Sequence, residues 1–246
     1  MVIAFAHRGG AYHPEIEGLE NTLAAFTHAV ALGYTHLETD VHLTKDGVLL
    51  AFHDAVLDRV TDRVGAVADL TLAEIREARI AGREEVPTLA ALLDAFPDAR
   101  FNIDLKAAGT PAALAALVEE RGLHDRLTVG SFSRGRTREF RRLTRGRVAT
   151  SADPVEIAAW RLFPSARLAR LAGDGFTAFQ VPHRRSGLTV VTRGFVERAH
   201  AAGKPVHVWT IDDADEMRQL VDLGVDGIFT DRTDVLKDVL QELGRW

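Results

Sequence analysis

The sequence contains no cysteine, no long apolar run and no excess of basic residues. Without cysteine, disulfides and thiolate metal sites are excluded, and the redox compartment stays undetermined. No apolar stretch approaches the roughly 20 residues that cross a bilayer, and the run at 2–6 is too short for a signal peptide, so we expect a cytoplasmic protein. A net charge of −5 gives no reason to expect a nucleic acid or an anionic membrane as partner.

The chain is long enough to bury a sizeable core, because 46% of its 246 residues are hydrophobic. Closed α/β barrels of about 250 residues fold as one unit, so a single domain over 1–246 is expected. The composition does not predict the oligomeric state.

Short apolar runs alternate with longer amphipathic ones, which predicts strands alternating with helices and therefore parallel strand pairing. Eight such units predict an α/β fold of the (β/α)8 TIM barrel type, with an open doubly wound sheet as the alternative. A charged segment at about 55–87, with one short helix at 71–79, is predicted to be a small insertion after the second barrel strand. The eight predicted strands are 2–6, 35–43, 101–106, 127–132, 147–151, 176–181, 206–211 and 227–231.

Three acidic side chains are expected to converge at the mouth of this barrel. Side chains alternate between the faces of a strand, which puts Glu38 and Asp40 on one face of the second strand and Asp104 on the same face of the next. Three carboxylates at one place repel each other unless a cation joins them. Oxygen ligands favour Mg²⁺ or Ca²⁺, so we predict one divalent cation there. The alternative is that these acids pair with basic side chains.

Two histidines are predicted to lie beside this site. His7 ends the first strand, and the Lys45-Asp46-Gly47 turn folds His53 back toward Glu38. Two imidazoles suit phosphoryl chemistry, with one accepting a proton and the other donating one. Taken singly, each histidine fits a polar loop residue better, and it is their shared position after an apolar run that favours the catalytic interpretation.

Two basic residues complete the predicted site. Arg8 and Lys106 supply the positive charge that a phosphodiester anion needs, although they could also pair with the carboxylates.

These residues lie in motifs that resemble those of the glycerophosphodiester phosphodiesterase family, in order along nearly the whole chain. The matching motifs are HRG (7–9), ENT (20–22), ETDVHLTKDG (38–47), HD (53–54), LDRVTD (57–62), DLK (104–106), VHVWTID (206–212) and GIFTDRTD (227–234).

The resemblance implies a barrel enzyme that uses a divalent cation to release glycerol 3-phosphate from deacylated phospholipids. It implies that His7 and His53 are the acid/base pair, that Glu38, Asp40 and Asp104 bind the metal, and that Arg8 and Lys106 contact phosphate. Asp104 stands where the family usually has glutamate. Attack by water and attack by the glycerol 2-hydroxyl both remain open.

The resemblance also assigns further residues. Glu20 and Asn21 match a supporting pair, and Trp209 matches an aromatic residue near the substrate, although it could be a core indole. Phe132 and His183 are weaker candidates for lining the pocket. His42 is an extra histidine on the inward face of its strand; it could touch substrate, but it is expected to line the mouth. The insertion at 55–87 is expected to cap the site.

Two other functions remain open. The first is a phospholipase D-type enzyme acting on lysophospholipids, which would need an apolar surface by the mouth. The second is a non-catalytic barrel that binds phosphodiesters.

Overall fold

The computed structural model describes residues 2–163, 165–185 and 187–246. Its strands are β1 Ile3–His7, β2 His36–Leu43, β3 Leu49–Ala51, β4 Arg100–Leu105, β5 Leu127–Gly130, β6 Ala149–Thr150, β7 Phe179–Pro182, β8 Arg184–Arg185, β9 Leu188–Thr189, β10 Val206–Trp209 and β11 Gly227–Thr230. Its α-helices are α1 Leu23–Ala31, α2 Leu72–Ile75, α3 Leu89–Ala95, α4 Thr110–Arg121, α5 Arg134–Leu143, α6 Pro154–Leu162, α7 Ala166–Ala169, α8 Arg193–Ala201, α9 Ala214–Leu223 and α10 Thr233–Glu242. Single turns of 3-10 helix span Val67–Asp69 and Arg170–Ala172.

Eight of the strands form a parallel sheet that curls into a barrel. Their order is β6, β5, β4, β2, β1, β11, β10 and β7. A parallel bridge between Ser151 and Ala178, just beyond β6 and just before β7, joins the two ends. The predicted TIM barrel is therefore confirmed, with helices between the strands covering the outside.

The alternation of side chains along the strands separates the core from the site. Leu37 and Val41 of β2 and Ile103 of β4 are fully buried in the main hydrophobic core. Glu38 and Asp40 alternate with them and therefore face the other side of the sheet, toward the barrel axis.

Most of the longer helices begin at a polar N-cap. Thr22 accepts a hydrogen bond from the backbone N–H of Ala25, and Asp153 accepts from Val155 and Glu156. Such caps satisfy backbone donors that the first helical turn leaves free, and so fix where each helix follows its strand.

The segment at 55–87 has a small core of its own, which includes Leu57, Val67, Ile75 and Val86. The helix expected at 71–79 is shorter, because α2 ends at Ile75. Beyond it the backbone turns away, and the N–H of Arg79 donates to the carboxylate of Asp62 at 2.7 Å.

Within the described ranges, no helix combines the length and the apolar character that a membrane span requires.

Candidate active site

The pairing of three strands brings the predicted carboxylates and His7 together. His7 of β1 is in register with Glu38 of β2, and Asp40 of β2 is in register with Asp104 of β4. His7 is the last residue of β1 and Asp104 the last but one of β4, so the group lies toward the C-terminal ends of these two strands, where barrel enzymes carry their active sites. The structure therefore places the three acids and His7 side by side.

The hairpin between β2 and β3 delivers His53 to the same place. Val41 pairs with Ala51, and the N–H of Phe52 donates to the carbonyl of Asp40 at 2.9 Å. His53 follows directly. His42 is buried, and its Nε2 donates to the carbonyl of His53 at 3.0 Å. His42 therefore holds the backbone of His53 in place and is not one of the residues that line the cavity.

Each of the two histidines is held by a carboxylate on Nδ1. Since a carboxylate only accepts, the Nδ1–H of His7 donates to Asp231 at 2.8 Å, and that of His53 donates to Asp54 at 2.5 Å. The Nε2 atoms are left for chemistry, and both rings line the same cavity. Burial alone would lower the pKa of His7, but Glu38 and Asp231 together raise it to about 8.

Arg59 links the segment at 55–87 to the site. Its guanidinium donates to Asp54 at 2.6 Å and to both oxygens of Glu20 at 2.7 and 2.8 Å. The hydrogen bond from Arg59, together with that from His53, outweighs the effect of burial and lowers the pKa of Asp54 to about 2. Asp54 thus stays ionised beside His53. Glu20, one of the predicted supporting pair, acts mainly by fixing Arg59 and by pairing with Arg8 at 3.4 Å.

The pKa values of the two acids of β2 are shifted in opposite directions. Burial and the neighbouring Asp40 raise the pKa of Glu38 to about 7, although His7 and Arg8 oppose this. Burial also disfavours the charged form of Asp40, but Lys106 and Arg8 outweigh it and hold the pKa of Asp40 below its ordinary range. Lys106 Nζ lies 2.9 Å from Asp40 Oδ1, and Arg8 Nε lies 3.2 Å from Oδ2.

Lys106 also contacts the third acid, donating to Asp104 Oδ2 at 2.6 Å. Burial, which outweighs the nearby ammonium, raises the pKa of Asp104. Its other oxygen, Oδ1, is buried and finds no hydrogen-bond partner among the described residues.

The loop after β1 has an unusual backbone that positions Arg8. Arg8 and Asn21 both have left-handed backbones, with φ of 51° and 60°. The N–H of Asn21 donates to the carbonyl of Arg8 at 2.8 Å, and the N–H of Arg8 donates to Glu38 at 3.1 Å. A Cβ on Gly9 would lie only 2.7 Å from the Cβ of Ala25, so the glycine lets the loop sit against α1. Strain of this kind is commonly stored at functional sites.

Asn21, the other supporting residue, is fully buried beneath the carboxylates. Its Nδ2 donates to Asp40 at 3.4 Å, and its Oδ1 accepts from Thr39 at 2.7 Å. It thus orients Asp40.

The carboxylates have the chemistry of a site for a hard cation. Within the described ranges, no three acidic or histidine side chains are already arranged around a common metal position. However, Glu38, Asp40 and Asp104 lie side by side, with Arg8, Lys106 and His7 as their basic neighbours. With the unpartnered oxygen of Asp104 and the raised pKa of Glu38, these residues fit a divalent cation.

A cavity of about 820 Å³ opens over these residues. Its lining includes the charged or basic side chains of His7, His53, Arg8 and Lys106. It also includes a set of apolar residues, which we call the apolar wall: Phe132, Pro154, Ile157, Ala158, Leu162, Pro182, Leu188, Val190 and Trp209. The indole of Trp209 packs edge-on against Phe132 at 5.5 Å between centroids, so it belongs to the cavity wall rather than to the core.

No role was predicted from the sequence for Asp54, Arg59 or Asp231. Asp231 was visible only as a polar residue at a strand end, and Asp54 as the residue after His53. His183, a weaker candidate, is buried beside the carboxylate of Glu216 and is not among the residues lining the cavity.

Comparison with known proteins gives a consistent result. A model of the "Glycerophosphoryl diester phosphodiesterase family" matches residues 7–235. A probable glycerophosphodiester phosphodiesterase 2 from Mycobacterium tuberculosis is 40% identical, over 99% of this chain and 92% of its own length. A lysophospholipase D from Mus musculus is 28% identical, over 96% of this chain and 85% of its own.

A solved structure also aligns with nearly the whole chain. It is an Oleispira antarctica phosphodiesterase in complex with its product sn-glycerol-3-phosphate, with a TM-score of 0.80 and 25% identity. The alignment covers 97% of this chain and 96% of that one.

Proposed function

This chain belongs to the glycerophosphoryl diester phosphodiesterase family, and from that premise we propose that it hydrolyses glycerophosphodiesters to glycerol 3-phosphate and an alcohol, using His7 and His53 and a divalent cation. One observation carries the proposal. Two histidines, each with a carboxylate on Nδ1, line one cavity together with Arg8 and Lys106.

The two histidines divide the proton transfers between them. Asp231 and Asp54 fix the tautomers, so that each ring presents Nε2 to the cavity. One imidazole accepts the proton of the attacking oxygen, and the other returns a proton to the departing alcohol. The net reaction adds one water across the phosphorus–oxygen bond.

Arg8 and Lys106 orient the phosphodiester and balance its negative charge. Both border the cavity, and both already pair with Asp40, which fixes their positions. Glu38, Asp40 and Asp104 would hold the divalent cation. When bound, it stabilises the negative charge that develops at phosphorus.

Replacement of the histidines tests the acid/base assignment. We expect His7→Ala and His53→Ala each to lower kcat for release of glycerol 3-phosphate from glycerophosphocholine by about 10²- to 10⁴-fold. His124→Ala, at a histidine that pairs with Glu119 away from the cavity, is the control and should keep the activity. Near-full activity in both site variants would refute the proposal.

Metal removal tests the cation separately. Dialysis against a chelator should abolish turnover, and Mg²⁺ or Ca²⁺ should restore it. Calorimetry should detect one bound ion per chain, and Asp40→Asn should weaken that binding. Full activity after exhaustive chelation, with no ion detected by elemental analysis, would rule the cation out.

A lysophospholipid is a second candidate substrate, because the apolar wall of the cavity is larger than a glycerol group requires. The mouse relative is named a lysophospholipase D. If lysophosphatidylcholine is a substrate, Ile157→Ser in this wall should raise its KM while leaving the KM for glycerophosphocholine unchanged. Absence of turnover of lysophosphatidylcholine by the metal-loaded enzyme would exclude this candidate.

A further inference from the structure

Exposed apolar side chains are concentrated on one side of the cavity mouth. Leu171 is 84% exposed, Leu162 is 78% exposed and Leu188 is 70% exposed. Phe163 and Leu168 lie on the same stretch of chain as the first two and are also exposed. None of the five belongs to a hydrophobic cluster of the protein. Several exposed apolar side chains close together are typical of a surface that binds another protein or a membrane.

Arginines are interspersed among these side chains. The segments 161–171 and 184–189 contain five arginines and no acidic residue, in a chain whose net charge is −5. Arg170 pairs with Asp174 at 3.3 Å. In the part of the chain that the structure describes, no carboxylate lies within 4.0 Å of the other four guanidinium groups. We call this surface the arginine–leucine rim; it consists of Arg161, Leu162, Phe163, Arg167, Leu168, Arg170, Leu171, Arg184, Arg185 and Leu188.

The rim surrounds part of the entrance to the active site. Arg161 and Leu162, at the end of α6, line the cavity together with Arg185 and Leu188 of the β8–β9 hairpin. The helix α7 and the 3-10 turn Arg170–Ala172 continue from α6 and lie against it. Both parts of the rim therefore contribute residues to the cavity lining.

We propose that the arginine–leucine rim docks the enzyme on an anionic phospholipid surface, with the cavity mouth facing the bilayer. Leucine and phenylalanine side chains enter the interface between headgroups and acyl chains, while arginines bind anionic headgroups. The acidic net charge of the whole chain gives no indication of this site, because its five arginines lie in two short segments that contain no acidic residue. The proposal does not depend on the proposed hydrolysis.

Binding to vesicles tests the docking surface. The wild-type chain should co-sediment with vesicles of phosphatidylcholine and phosphatidylglycerol, and far less with phosphatidylcholine alone. Arg167→Gln with Arg184→Gln should weaken binding about 30-fold, and Leu168→Ser with Leu171→Ser about tenfold or more. None of these four residues lines the cavity. All variants should therefore hydrolyse dissolved glycerophosphocholine at the wild-type rate, which also shows that they are folded.

Two controls separate docking from non-specific effects. Val64→Ser removes a similarly exposed apolar side chain from the segment at 55–87, and Arg76→Gln with Arg83→Gln removes two exposed arginines from the same segment. These variants should bind like the wild type. Equal binding to neutral and anionic vesicles would overturn the proposal. Binding that depends on the arginines but not on the leucines would also overturn it, because the rim would then be a site for a soluble polyanion. If the wild-type chain binds vesicles but does not hydrolyse glycerophosphocholine, the proposed hydrolysis is contradicted and the docking surface is not.

Discussion

The hydrogen bond between His7 and Asp231 is the residue-scale feature on which the proposed acid/base chemistry depends most directly. Asp231 holds Nδ1 at 2.8 Å and thereby keeps Nε2 directed at the cavity. We expect Asp231→Asn to lower kcat by about 10²-fold or more while KM changes little, because an amide no longer fixes the tautomer or stabilises the imidazolium. Steady-state kinetics with glycerophosphocholine measure both constants.

A surface pair provides the control for this substitution. Glu119→Gln removes the carboxylate that contacts His124 far from the cavity, and it should leave kcat unchanged. An unaltered kcat in Asp231→Asn would mean that His7 needs no orienting partner.

His207 makes stability depend on pH. It is buried, and neither ring nitrogen has a hydrogen-bond partner among the described residues. Burial, with a smaller contribution from His36, lowers the pKa of His207 to about 4, although Asp226 opposes this. The unfolded chain, with a histidine pKa near 6.5, therefore takes up the proton first. Stability is fully present above pH 6.5 and falls as the pH drops toward 4, by up to about 3 kcal/mol from this group.

Denaturant unfolding at a series of pH values measures this effect. His207→Asn should show a shallower fall in the free energy of unfolding between pH 6.5 and 4, and the two curves should run parallel above pH 7. Identical slopes in acid would show that His207 does not supply the effect.

The residues proposed to hold the cation were more accessible to sequence analysis than those that position the groups around them. Glu38, Asp40 and Asp104 follow from strand alternation, because the period of two determines which side chains share a face. The role of Arg59 does not follow from such a pattern, because it depends on how the chain folds back between residues 55 and 87 to reach Glu20. No local periodicity encodes such a contact.

At the scale of elements, the β2–β3 hairpin fixes where His53 lies. Its turn uses Gly47 at φ 82°, with open space around the glycine. Gly47→Ala should destabilise the protein by about 1 kcal/mol, since an L side chain is strained there. Gly194 in α8 also has open space around it but does not have a positive φ. Gly194→Ala should therefore be neutral or stabilise the protein by up to about 1 kcal/mol. Urea unfolding measures the change in the free energy of unfolding for each variant, and equal changes would show that the positive φ of Gly47 does not matter.

The eight barrel strands were predicted, but several of their ends were not. The expected strand at 147–151 is reduced to Ala149–Thr150, and the expected strand at 176–181 begins only at Phe179. Apolar runs show which residues are buried, whereas a strand ends where its neighbour stops pairing. That limit is set by the curvature of the whole barrel and not by the local sequence.

At the scale of the whole molecule, the contact between β6 and β7 is the seam of the barrel. β2 and β4 share six residue pairs in register, whereas the seam has one bridge, between Ser151 and Ala178. Side chains supplement it. The guanidinium of Arg141 donates to Thr150 Oγ1 at 2.8 Å and to the carbonyl of Ser151 at 2.9 Å.

The same guanidinium also binds a buried carboxylate of α6, at 2.8 Å from Glu156 Oε1, so one arginine joins α5, the seam and α6. Arg141→Met should cost about 3–5 kcal/mol, because it leaves a carboxylate buried without its partner. Adding Glu156→Gln should recover part of that loss, since the carboxylate left without its partner is then replaced by a neutral amide. Arg218→Met, which breaks a surface pair with Glu242, should cost less than about 1 kcal/mol. If Arg141→Met proves as mild as Arg218→Met in urea unfolding, the backbone bridge alone is sufficient to close the barrel.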